Sequence, residues 1–262
     1  MPSPRRWFFA PARAHASPAL LALHTALVLG VLAGLLHLAF ARIAYHWNWQ
    51  GVWAYRDSFA RGWWVTLGVS AAALVLSTLL GTATALARRS SFLPLRQLAV
   101  VYVELIRGTP LLVQILLLFY VVGTALRLEN REVAGVLILS LFAGAYIAEI
   151  VRGGVDSVPA SQLESARAIG LTPGQIHRFV VFPQAFRQML PGLAGQFVSL
   201  VKDSSLLSLI AIEEFSLRAQ QVNSNTYSTL ESYLPLAVGY LLLTLPLSLL
   251  TRALERRFRY ET

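Results

Sequence analysis

The feature that most constrains this chain is a series of long stretches without a single charge. Arg13 to Arg42 encloses 28 uncharged residues, Arg61 to Arg88 encloses 26, Arg107 to Arg127 encloses 19, and Glu231 to Arg252 encloses 20. A helix needs about 20 mostly apolar residues to cross a bilayer. Two shorter stretches, Glu132 to Glu149 and Arg187 to Lys202, run past their bounding charges into further apolar sequence. Six membrane helices are therefore expected, near 18–41, 63–87, 98–122, 132–152, 190–212 and 233–252. Membrane β-strands would alternate apolar and polar residues in segments of about ten, and runs such as ALLALHTALVLGVLAGLLHLAFA do not alternate. The expectation is an all-α integral membrane protein. Composition agrees: 56% of residues are hydrophobic and only 13% charged, about half the charged fraction of a globular chain. With no cysteine, disulfides, thiolate metal sites and cysteine nucleophiles are excluded.

Positive loops stay on the cytoplasmic side of a membrane. With the N-terminus inside, the segments 1–17, 88–97, 152–189 and 252–262 hold 14 basic and four acidic residues, while the outer loops hold six of each. The net charge of +9 is thus an inside-facing asymmetry rather than a sign of nucleic-acid binding. The organisation expected is a cytoplasmic tail at 1–17, an N-terminal membrane helix at 18–41, an external aromatic-rich segment at 42–62, a membrane domain at 63–252 that includes a long inner loop at 152–189, and a basic cytoplasmic tail at 253–262. Arg5, Arg6 and Arg13 ahead of an apolar run also fit a signal peptide. That run exceeds twenty residues, which favours a retained helix over the 7–15 of a signal. Five of the six tryptophans fall between Trp47 and Trp64, the composition of a lipid-headgroup belt.

The inner loop is organised. Pro159 can open a helix that runs through Ile169, with Leu163, Ala166 and Ile169 as a narrow apolar stripe. Gly170 stands where a helix C-terminus favours a left-handed residue, and Thr172 with Pro173 can cap and open a second helix. Periodicity alone leaves two readings open, a packed re-entry segment and a knob offered to a cytoplasmic partner. The spans also carry charges, which are costly in lipid and usually face a cavity or a partner. Glu104 and Arg107 share one helix face, and Pro110 should kink the Gly108-Thr109-Pro110 segment and free carbonyls. Glu149, Arg152 and Asp156 share another face, and Lys202 and Asp203 are adjacent. These groups supply both signs, as a zwitterionic solute requires. They can equally neutralise one another and fix helix packing.

Glu164-Ser165-Ala166, three residues, Gly170, nine residues, then Val180-Val181-Phe182-Pro183 resembles the EAA loop of ABC-importer permeases, with Ser, Val and Phe in place of Ala, Ile and Leu. The segment Glu104 to Gln114 (ELIRGTPLLVQ), Ala145 to Gly154 and Lys202-Asp203-Ser204-Ser205-Leu206 are similar to the polar amino-acid permeases of that superfamily. The similarity runs from about Phe59 to Arg257 and leaves the first helix as an addition to a five-helix core. The resemblance implies a permease subunit in the bacterial inner membrane, both termini cytoplasmic, with a cytoplasmic coupling helix. It implies as partners a cytoplasmic ATP-binding subunit dimer, a second permease chain (identical or related), an external amino-acid-binding protein and membrane lipid. Coupling to the ATPase would rest on Glu164, Ser165, Ala166, Gly170 and Pro183. The solute path would be drawn from Glu104, Arg107, Thr109, Gln114, Glu149, Asp156, Lys202 and Asp203.

No catalytic residue and no cofactor are expected on this chain. A P-loop needs G-x-x-x-x-G-K-[S/T], and the one lysine, Lys202, lies between Val201 and Asp203. The five histidines are scattered and read as surface or packing residues. A secondary transporter driven by an ion gradient is the alternative, although no counterpart of the inner loop stands in the first half of the chain, as inverted repeats would supply.

Overall fold

The computed structural model describes residues 17–42 and 45–258; most of the expected 1–17 tail, the last four residues of the 253–262 tail, and His15 lie outside them. The chain divides into two compact units, 1–47 and 48–262. In the first, α1 (Pro18–Ala41) starts where the Ser17 hydroxyl accepts from Leu20 N–H and Pro18 occupies the first turn. Its leucines and valines from Leu21 to Leu38 are exposed, and its length and composition suit a membrane span.

In the second unit, α2 (Trp49–Trp53) leads into α3 (Arg56–Ala87), followed by α4 (Leu93–Gly108) and α5 (Leu111–Leu117), which winds on as a π-helical turn through Gly123. Then come α6 (Arg131–Asp156), the short α7 (Ala160–Ala168) and α8 (Pro173–Ile176), and α9 (Phe182–Asp203), which tightens into a 3-10 turn over Ser204–Ile210. The unit ends with α10 (Phe215–Thr226) and α11 (Thr229–Phe258). Among the described residues, five helices are long and apolar enough to cross a membrane, six if the bent pair α4–α5 is one span.

Lipid offers no hydrophobic drive between helices, so membrane helices pack through small residues that let backbones approach. The buried face of α3 follows that rule: Gly62, Thr66, Ser70, Ala73, Ser77, Gly81 and Thr84 recur at three- and four-residue steps. Leu79 and Leu86 point outward. This face crosses α6, where a Cβ on Gly81 would stand 2.7 Å from the Gly144 carbonyl oxygen. The central core adds Ile115 of α5, Leu139 of α6, and Leu200 and Leu207 near the end of α9. Arg88 reaching Glu149 and Arg89 reaching Asp156 put the C-terminal ends of α3 and α6 at one end of the bundle, together with α7 and α8. Contacts of Gly62 with Arg218 and of Gly135 with Ile212 put the start of both helices at the other end, beside α10.

Two expected spans differ. The helix expected over 98–122 is two helices bent by 113°. Proline clashes with the α conformation of the residue before it, so Thr109 is extended (φ −126°, ψ 148°) and α4 stops at Gly108. The helix expected over 190–212 begins earlier: α8, a π-helical turn over His177–Val181 and α9 run on as one 38-residue helix from Pro173 to Ile210, and the wider turn stands just ahead of Pro183, which has no N–H to donate.

Candidate functional site

The break between α4 and α5 is held by one side chain. Gln114 Nε2 donates to the carbonyl oxygens of Ile106 (2.7 Å) and Thr109 (3.0 Å) and lies 2.8 Å from Thr109 Oγ1. It stands in for helical donors that the turn at Pro110 withdraws, at a depth where bare carbonyls are costly. Gln114 is buried, and its Oε1 has no donor among the described residues. Of the expected path residues, Thr109 and Gln114 therefore meet at the break itself.

Beside it stands a charged cluster. Glu149 is bonded by Arg88 and by Arg152 (2.8 Å), and Arg107 approaches it at 3.5 Å. Arg152 and Arg89 both reach Asp156, at 3.0 and 3.1 Å. Glu149 and Arg88 are each only 16% exposed, whereas Arg107 keeps 40% and lies over the Tyr146 ring, 5.6 Å from its centre. The structure thus separates the expected pair Glu104–Arg107: the arginine turns to Glu149, and Glu104 is exposed with no ion pair among the described residues. Lys202 and Asp203 close α9 without an ion pair to each other or to the Glu149 cluster, Lys202 exposed and Asp203 half-buried. Arg88 and Arg89 were missed because charges bounding an apolar run read as helix ends; their partners lie 61 and 67 residues away.

At the same end, α7 and α8 form a tight hairpin. Gly170 has φ +84°, its N–H reaches the Arg167 carbonyl at 2.9 Å, and the Leu171 N–H reaches that of Ala166 at 3.1 Å. This pair of bonds is the Schellman closure that favours glycine. A capping box then opens α8: Gln175 N–H donates to Thr172 Oγ1 and Thr172 N–H to Gln175 Oε1. Ala166 packs inward with Val158, Ile176, Val181 and Met189, whereas Glu164 and Ser165 face out. Ile169 departs from the expected stripe: it leaves the helix at its C-cap and is 77% exposed. Pro183 is exposed in the first turn of α9.

The opposite end carries two carboxylates that sequence reading had counted as loop charges. Glu214, fully buried, caps α10 by accepting from the N–H groups of Ser216 and Leu217, both at 2.8 Å, and from Tyr240 Oη at 3.0 Å. Burial pushes its carboxyl above the usual carboxylate range, against the two backbone donors that favour the anion. Glu231, also fully buried, accepts from the Asn48 N–H at the start of α2. No local pattern marks either residue, since burial here depends on α3, α10 and α11 coming together.

Comparison with known proteins places this arrangement. Residues 73–260 match the family of binding-protein-dependent transport system inner membrane components. The chain is 39% identical over 197 residues, 75% of its length and 91% of the relative's, to the probable glutamine ABC transporter permease protein GlnM of Bacillus subtilis. It is 34% identical to the glutamine transport system permease protein GlnP of Escherichia coli, over 81% of this chain and 98% of that one. Among solved structures, an amino acid ABC transporter crystallised with histidines superposes with a TM-score of 0.74 at 34% identity, covering 81% of this chain and all of that one. The MetNI methionine ABC transporter shares the fold, with a TM-score of 0.63 at 18% identity over 79% of this chain and 99% of that one. By that family match and these relatives, this chain belongs to the family of inner membrane components of binding-protein-dependent transport systems.

Proposed function

We propose that this chain is the membrane-spanning permease subunit of an ABC importer for polar amino acids. The observation that carries this reading is the α7–α8 hairpin, which matches the spacing of the EAA loop and offers Glu164, Ser165 and Ile169 outward at a rigid glycine turn. In this reading the hairpin end is cytoplasmic and docks on a dimer of ATP-binding subunits, both termini are inside, and α2, α10 and the tryptophans face an external binding protein. The basic bias of the loops supports that orientation. A second permease chain completes the path, since one copy leaves the apolar flanks of α4 and α5 exposed. Nothing favours the secondary transporter over relatives named as ABC permeases.

The solute passes the break. Arg107, part exposed and shared loosely with Glu149, has donors to spare for a solute carboxylate, since a guanidinium carries five. Gln114 Oε1 and the Thr109 segment offer acceptors to an ammonium or amide. Glu104, Lys202 and Asp203 lie outside this cluster. The test is reconstitution of the chain with its ATP-binding subunit and binding protein in vesicles. ATP-driven accumulation of labelled glutamine, lost on omitting either partner, is the expected result; accumulation driven by an ion gradient without ATP would refute the reading.

A further inference from the structure

Two adjoining cavities lie under the α7–α8 hairpin, between it and the ends of α3 and α6. The first, about 290 Å³, has Leu163 and Ile176 in its wall and takes its polar lining from Arg89, Arg167 and His177. The second, about 210 Å³, shares Arg89 and His177, adds Arg152, and is otherwise apolar, with Leu86, Phe182 and Met189. Leu86 is 66% and Phe182 63% exposed, so this second cavity opens onto the apolar flank of the bundle.

Charge around the cavities is not balanced. Arg88, Arg107 and Arg152 share Glu149, and Arg89 and Arg152 share Asp156. Arg167 has no ion pair among the described residues. Three arginines, Arg89, Arg152 and Arg167, thus line the cavities, and no carboxylate does. A basic pocket between membrane helices at the cytoplasmic surface is suited to an anionic headgroup, and the apolar neighbour gives that headgroup's tail a way out into the bilayer. An acidic side chain of the ATPase fits less well, because the pocket lies behind the hairpin, on the side opposite Glu164 and Ser165.

We propose that the hairpin is seated on an anionic phospholipid of the inner leaflet, its phosphate held by Arg89, Arg167 and His177 and its acyl chains leaving past Leu86 and Phe182. This rests on the orientation proposed above, with the hairpin end cytoplasmic. The lever would then be braced from behind by lipid while its outer face meets the motor.

The test uses the complex of this chain with its ATP-binding subunit, offered equal phosphatidylglycerol and phosphatidylcholine of matched chains, with bound lipid weighed by native mass spectrometry. Phosphatidylglycerol should be retained about five-fold or more over phosphatidylcholine, falling to parity in the double variant Arg89→Gln, Arg167→Gln. Arg178→Gln, which removes a charge from a residue lining neither cavity, should leave the preference intact. Equal retention of both lipids by the wild type overturns the site, and that comparison stands even where the double variant fails to assemble. So does displacement by inorganic phosphate at the lipid's own concentration, which makes it a free-anion site. Loss of the ATPase from the double variant with the lipid preference unchanged makes the pocket a protein contact and also overturns it. Orientation is read separately: the chain has no cysteine, so Ser161→Cys should react with an impermeant maleimide only from the inner face. Labelling from outside refutes the orientation and this site together, whereas inner labelling without a lipid preference refutes this site alone.

Discussion

Gln114 shows how a membrane helix can be broken without leaving bare backbone in lipid. Its amide covers two carbonyls and a hydroxyl at the turn. Gln114→Leu keeps the bulk and withdraws every donation, so it should cost about 1–3 kcal/mol, the penalty for orphaned buried acceptors. For a chain of this size that is a fall in melting temperature of about 2–4 °C per kcal/mol, measurable in detergent, and glutamine uptake should fall with it. Glu149→Gln leaves Arg88 and Arg152 without their shared anion. Its expected cost is about 2–3 kcal/mol, below that of a fully buried pair because the cluster touches solvent. An unchanged melting temperature would show the arginines re-pairing with Asp156. The candidate residues Glu149, Arg152 and Asp156 were legible from spacing on one helix. Arg88 and Arg89 were not, since nothing local distinguishes an arginine that ends a span from one that folds back to a carboxylate.

The elements differ in how far local chemistry decides them. The hairpin is governed by short-range rules: a proline entry, a glycine at positive φ, a threonine cap. All of it was legible except the outward turn of Ile169. Gly170→Ala places a Cβ in the left-handed region, a strain of about 1 kcal/mol, and should loosen the lever rather than the bundle. Together with Glu164→Lys, it is expected to insert and assemble normally while stimulation of ATP hydrolysis by loaded binding protein drops several-fold. Wild-type stimulation in both variants would count against the coupling role. The break in the third span was only half legible. Pro110 announces a kink, but the 113° bend depends on Ile115 packing into the α3–α6 core while α4 lies against a different stretch of α6.

At the scale of the whole molecule, two buried carboxylates tie the outer elements to the bundle. Because the Glu214 carboxyl is raised by burial, the folded state holds a proton that the unfolded chain releases above about pH 4. The stability this group lends is complete below that pH and is lost as pH rises through the raised value. Wild type should therefore lose melting temperature relative to Glu214→Gln as pH rises above the ordinary carboxylate range; a gain would mean that the Ser216 and Leu217 donors outweigh desolvation. The all-helical membrane fold and the family follow from the sequence, because crossing a bilayer demands long uncharged runs and the hairpin motif is short and local. Which charges meet, which carboxylates are buried and how sharply the third span turns were decided by tertiary structure alone. Both faces of these helices are apolar, so hydropathy cannot tell lipid from neighbour, and only the close approach of small residues such as Gly81 and Gly144 selects the packing.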